Sequence, residues 1–206
     1  CTDGLPINIS PLYDPNNWKL NRDPRLLQTI RAFEDPAIKA SGEVVQFAYN
    51  GVSQTGLVPA KGGNVETLPI DYSTKSEQDW ILIRYAEVLL NFAEATNELN
   101  GPTPAVYEAI NAVRGRQGVN MPPLPDGLSQ EEMRARIWNE RRVEFAFEGM
   151  RYRDIKRWKL AETYIPTLVE PGSNISRAFD PSKHYLFPFP QSEIDINPNL
   201  VQNPGY

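Results

Sequence analysis

Apolar residues recur at helical spacing in three tracts of the chain. In EQDWILIRYAEVLLNFAEATNELNGP, Ile81, Tyr85, Leu89 and Phe92 share one face, with Leu82, Ala86, Leu90 and Ala93 beside them. The pattern stops at Asn100-Gly101-Pro102, where glycine can adopt the left-handed conformation and proline cannot extend the hydrogen bonding. Thr103 as N-cap and Pro104 at the first helical position open a second helix, AVYEAINAVRGR, with Val106, Ala109, Ile110 and Val113 inward. So short a link predicts an antiparallel hairpin. After the proline-rich QGVNMPPLPDG, Ser129 with Glu132 three residues on is a capping box, and a third helix starts there.

The remainder lacks that rhythm. Residues 1–40 read as loop and turns (DGLPI, LYDPNNW, NRDPRLLQTI), and RLLQTI fits a short helix or a strand equally. Residues 41–76 mix small, polar and apolar types with several glycines, which predicts short strands and long loops. The tail, DPSKHYLFPFPQSEIDINPNLVQNPGY, is rich in aromatics and proline, and is expected to be an extended strap over the helices. The expectation is a mainly α fold with tetratricopeptide-like helical hairpins, long loops and a few short strands. Residues 1–77 form its loop-rich, ligand-binding part, and 78–206 its helical region ending in the strap. One hairpin is too little to establish a repeat from periodicity.

Composition narrows the function classes. The chain has 206 residues, a formal charge of −5 and no basic run, so the electrostatic footprint of a duplex-binding protein is missing and nucleic acid is not an expected partner. No stretch approaches the ~20 apolar residues that span a bilayer. Cys1 is the only cysteine, which excludes an intrachain disulfide and a cysteine-based metal cluster. With no apolar signal segment before Cys1, the expectation is a chain that starts inside a larger polypeptide.

The charged tract NERRVEFAFEGMRYRDIKRW, residues 139–158, admits two readings. Arg136 and Glu140, Glu140 and Glu144, and Glu144 and Glu148 are four apart, so acids and bases neighbour one another on a helix face. A carboxylate pair could act as acid and base on a glycosidic bond, where separations of ~5–9.5 Å are used. Against that, every acid has an arginine within a turn, which lowers the pKa that a general acid needs raised. The tract is therefore expected to be an ion-pair network, with Arg84, Glu87, Glu94, Arg114 and Arg116 as further partners. Arg153 is expected to matter to it as much as Glu140. Gly149 should let the chain turn into a short helix with Tyr152, Ile155 and Trp158 inward.

No other constellation suggests catalysis. His184 is the sole histidine and has no metal-ligand or triad spacing around it. GVSQTG is not a nucleophile elbow, KGGN is too short for a phosphate loop, and no metal or other cofactor is expected. Trp80, Trp138 and Trp158 lie in helical stripes and read as core. Trp18, Tyr13 and Tyr49 sit instead in Gly/Pro/Asn-rich loops near Asn50 and Gln54. Flat aromatic faces beside amide side chains suit a sugar ring and its hydroxyls. These five residues are the candidate ligand-binding set.

RYAEVLLNFAEATNELNG with AINAVRGRQG, then NERRVEFAFEGMRYRDIKRW, then LFPFPQSEIDINPNLVQNPGY, preceded by DGLPI and NRDPRL, resemble the C-terminal half of SusD/RagB-type proteins in order and spacing. The resemblance implies a non-enzymatic, lipid-anchored outer-membrane protein of Bacteroidetes. Such a protein captures glycans at the cell surface and sits as a lid on a SusC-like TonB-dependent transporter. It also implies that the anchor belongs to an N-terminal part absent from this chain, so Cys1 is not the lipidated residue. Capture of an oligosaccharide or polysaccharide for import is the leading expectation. Peptide capture, or a transporter lid without its own ligand, is the alternative, and a glycoside hydrolase the weaker rival.

Overall fold

The computed structural model describes residues 1–46, 55–68, 75, 79, 81–169 and 176–206. Tyr49, Asn50, Gln54 and Trp80 lie outside the described residues. The chain divides into two compact units, Cys1–Phe147 and Glu148–Tyr206.

In the first unit the ambiguous RLLQTI is both things in turn: a helix α1 (Arg25–Thr29) that passes directly into a strand β1 (Ile30–Ala32). Strands β2 (Pro36–Ile38), β3 (Val44–Gln46) and β4 (Leu57–Pro59) follow, and two antiparallel ribbons form, β1 with β4 and β2 with β3. Ile30 faces Pro59 in the first and Pro36 faces Gln46 in the second. Two-stranded ribbons this short have no independent stability. The β1–β4 ladder gains one further rung where Ala60 N–H donates to the Thr29 carbonyl at 2.8 Å.

The core is the helical hairpin α2 (Tyr85–Asn100) and α3 (Pro104–Arg114), with α4 (Gln130–Glu144) packed on α2. Leu90 and Ala93 of α2, Val106, Ala109, Ile110 and Val113 of α3, and Met133 and Ile137 of α4 are buried. The four inward positions expected on α3 are thus the four found. On α2 only the Leu90/Ala93 stripe is buried, whereas Tyr85 and Phe92 are exposed. The helix also begins later than its apolar pattern, because Arg84 is extended while its guanidinium is held by Glu144, and Ile81–Ile83 ahead of it are exposed.

Capping follows the sequence closely. Ser129 Oγ accepts from Glu132 N–H at 3.2 Å and the Glu132 carboxylate accepts from Ser129 N–H at 2.8 Å, a complete capping box. Thr103 occupies the N-cap of α3 through its backbone alone: its carbonyl accepts from Val106 N–H, and its hydroxyl makes no capping bond. The outer side of α3 ties down the proline-rich loop. Tyr107 Oη accepts from Leu128 N–H and Asn111 Oδ1 from Leu124 N–H, while Arg114 Nε donates to the Pro122 carbonyl.

Near the start of the second unit stands Gly149, whose φ of 75° is the left-handed conformation that side-chain-bearing residues avoid, and α5 (Met150–Arg157) follows at once. With α6 (Ala161–Tyr164) and the 3-10 turn Ile165–Thr167 it encloses Ile155, Ala161 and Ile165, against which Phe179 and Tyr185 pack. Ile155 is inward as expected, Trp158 is half-buried and Tyr152 is exposed, so an eight-residue helix buries a narrower stripe than its apolar residues suggest. The tail is less extended than a strap. It forms a short helix α7 (Gln191–Ile196) and folds back, with Phe189 and Gln202 exchanging backbone and side-chain bonds and Asn203 Nδ2 donating to the Phe187 carbonyl. His184 Nδ1 accepts from Asp180 N–H at 2.8 Å, a structural role.

Candidate functional site

Two faces of α4 carry different chemistry. Its inner face buries Glu140 and Glu144, each with a side chain 1% exposed. Glu140 accepts from Arg25 at 2.5 Å and from Arg114 at 2.8 Å, one guanidinium on each oxygen. Glu144 accepts from Arg25 at 2.9 Å, Arg116 at 2.8 Å and Arg84 at 2.6 Å. Its backbone carbonyl, at the C-terminus of α4, accepts from Lys61 Nζ and Arg84 Nη2, where the helix dipole favours positive charge. Burial by itself pushes the Glu144 carboxyl up, but the bonds from Arg25, Arg116 and Arg84 outweigh it and bring it down to about 2. Arg25 is held protonated despite burial by Asp23 and Glu140.

Sequence motifs position these cations. Asp23 Oδ1 accepts from both the backbone N–H and Nε of Arg25, and Oδ2 from Nη2 at 2.7 Å, so NRDPR aims the Arg25 fork at α4. In DGLPI, Asp3 bonds Leu5 N–H and Ser10 Oγ, and Gly4, at φ +81°, passes so close that a Cβ there would meet Pro122 at 3.3 Å and Arg114 Nη2 at 3.4 Å. Arg84 and Arg141 lie over the buried Phe145 ring at 4.8 and 5.2 Å. The network reading of the charged tract holds. Arg84, Arg114 and Arg116 are on these acids as expected, and Arg25 of α1 joins them unforeseen, whereas no arginine from the next turn of α4 bonds Glu140 or Glu144 among the described residues. Arg153 is exposed and does not share the burial of Glu140. Spacing of i±3 and i±4 cannot reveal an arginine more than a hundred positions away.

The outer face of α4 borders a cleft of about 800 Å³. The loop around Gly4–Ile9 and the exposed side of α1 form its other walls, with Leu26, Ile30 and Val143 as apolar lining and Arg22, Arg136, Asn139 and Arg142 as polar lining. A second recess of about 400 Å³ is lined by Lys61, Gly62, Gly63, Arg116 and the same Arg25. Of the candidate binding residues, Tyr13 and Trp18 are both half-exposed and neither lines the cleft. Arg22 connects them to it: its guanidinium lies 5.8 Å from the Tyr13 ring and Nη1 donates to the Trp18 carbonyl at 3.0 Å. Lys19 stands 5.3 Å from the Trp18 ring and is paired with Asp35. The cleft residues were missed by sequence reading, although the Arg136, Asn139, Arg142 run at three-residue steps was visible.

The fold is mainly helical, with the two acids of α4 neutralised inside and a cleft of about 800 Å³ on its outer face. The chain belongs to the SusD family, whose sequence pattern matches residues 2–206. SusD-like protein P2 of Formosa agariphila is 42% identical over 215 residues, covering 99% of this chain and 41% of that protein. The starch-binding protein SusD of Bacteroides thetaiotaomicron is 28% identical over 185 residues, covering 82% of this chain and 32% of that protein. Among solved structures, a SusD-like carbohydrate binding protein from Bacteroides fragilis superposes with a TM-score of 0.76 at 34% identity, over 97% of this chain and 46% of that one. A second SusD-like protein of Bacteroides fragilis gives 0.73 at 29% identity, over 90% and 39%. The chain spans less than half the length of these relatives.

Proposed function

We propose that this chain is the C-terminal part of a cell-surface protein that captures an oligosaccharide for import through a SusC-like TonB-dependent outer-membrane transporter, and that it performs no chemistry on its ligand. The family match over residues 2–206 carries this reading. The cleft of about 800 Å³ supports it, being of the size that encloses a small ligand. Trp18, Tyr13 and Tyr49 are proposed to stack on sugar rings, with Asn50 and Gln54 bonding hydroxyls.

Native gels cast with individual polysaccharides test the reading. Retention by at least one glycan, with no release of reducing ends, is the expected result. No retention together with co-purification of the transporter would leave a lid without its own ligand. Release of reducing ends would favour a hydrolase, against which the arginine-saturated Glu140 and Glu144 argue.

A further inference from the structure

The charges lining the cleft do not cancel. Five guanidinium groups, those of Arg22, Arg25, Arg114, Arg136 and Arg142, face three carboxylates, those of Asp23, Glu132 and Glu140. Asp23 and Glu140 are taken up by Arg25 and Arg114. Glu132 is occupied by Ser129, whose N–H and Oγ both lie 2.8 Å from its carboxylate. Arg22 is held at the Trp18 carbonyl. That leaves the outer stripe of α4. Among the described residues Arg142 forms no salt bridge and Arg136 acts on Glu132, one turn away, through charge alone without a direct bond, and Asn139 lies between them in sequence on the same cleft wall. The chain carries a net charge of −5, so this positive excess is local to the cleft and not a property of the whole surface.

We propose that this cleft receives the charged groups of an acidic oligosaccharide, one bearing carboxylates or sulfate esters, with Arg136 and Arg142 as its guanidinium contacts and Asn139 bonding between them. The inference rests on the oligosaccharide-capture reading above and narrows it to a ligand class. Guanidinium is suited to the task because its planar fork donates two parallel bonds to a carboxylate or a sulfate. Six positions of α-helix separate the two arginines by ~9 Å along the axis, so they can hold two charged groups and not one. The exposed Ile7 and Ile9 on the facing loop offer contact to the less polar faces of the rings.

Binding to the full protein is measured with three probes: oligogalacturonate for carboxylates, carrageenan oligosaccharide for sulfate esters and maltoheptaose as the neutral control. Binding of an acidic probe, weakening as salt rises and falling about tenfold or more in Arg136→Gln/Arg142→Gln, is the expected result. Which acidic probe binds decides between carboxylate and sulfate. Arg153→Gln, the same charge change on exposed α5, should keep affinity within about twofold. Neither cleft arginine belongs to the buried network, so the double variant should retain its melting temperature, and Arg142→Gln alone gives a milder second reading. Binding of maltoheptaose alone would overturn the acidic-ligand inference while leaving capture intact. Binding of no probe would overturn the acidic-ligand inference, whereas capture itself stands or falls with the polysaccharide gels. A loss in Arg153→Gln equal to that in the double variant would show a general charge effect and overturn the role of the cleft.

Discussion

Arg25 and Glu140 stand 115 positions apart in sequence and 2.5 Å apart in the fold, with side chains 4% and 1% exposed. The same Arg25 nitrogen also reaches Glu144 at 2.9 Å, so one arginine from the N-terminal loop region bridges the two buried acids of α4.

Removing one member of such a buried set leaves the others charged and uncompensated. Glu140→Ala strands Arg25 and Arg114 and is expected to cost about 3–5 kcal/mol, a fall in Tm on the order of 10 °C. Arg153→Ala, on an exposed side chain, should change stability by no more than about 0.5 kcal/mol. Equal melts for Glu140→Ala and the parent would contradict the network.

Acid should unfold the chain through the same cluster. The Glu144 carboxyl is depressed from 4.5 to about 2, so its contribution is fully present above the unfolded value and is lost as pH falls from 4.5 towards 2. That contribution is on the order of 3 kcal/mol at neutral pH. Denaturant titrations across that window should show the steepest loss there, and Glu144→Gln should flatten it.

The capping box sets a smaller effect. Ser129→Ala leaves the first turn of α4 without its side-chain acceptor and should cost about 1 kcal/mol. Chemical denaturation would detect it as a lower midpoint with an unchanged slope.

Lys156 makes the opposite case. Its Nζ is buried without a hydrogen bond, 4.0 Å from the Phe187 ring centroid and 5.3 Å from that of Tyr152, and burial lowers its pKa, helped by Lys159. A buried amine whose pKa is lowered destabilises the fold at neutral pH, and that penalty fades as pH rises through the lowered value. Lys156→Met should therefore keep or raise Tm. A drop of several degrees would show that the ring contacts outweigh desolvation.

Trp18→Ala and Tyr13→Ala test the loop as a sugar platform. Each should weaken a retained glycan by roughly tenfold, the equivalent of about 1.4 kcal/mol, with the fold intact by circular dichroism. Unaltered retention in both variants would remove these aromatics from the site.

Much of the local structure was legible because it is written in neighbouring residues. The stop at Gly101, the Ser129–Glu132 box, the turn at Gly149 and the inward face of α3 each depend on residues within one or two turns, where spacing and geometry are linked directly. The site was less legible. Tyr13 and Trp18 stood out by type, yet the cleft is walled by Arg136, Asn139 and Arg142, whose spacing looks like any solvated helix face.

The sequence by itself determined the α2–α3 hairpin with its stop at Gly101, the start of α4 at Ser129, the turn at Gly149, and that the charged tract around Glu140 serves structure, since an acid surrounded by arginines stays ionised. Only the tertiary structure decided that Arg25 joins Arg84, Arg114 and Arg116 on the acids of that tract, which stripe of α2 is covered, and which outer residues of α4 share a cleft. Helix periodicity acts over a few residues, whereas burial and charge compensation depend on chain segments a hundred positions away folding onto the same place.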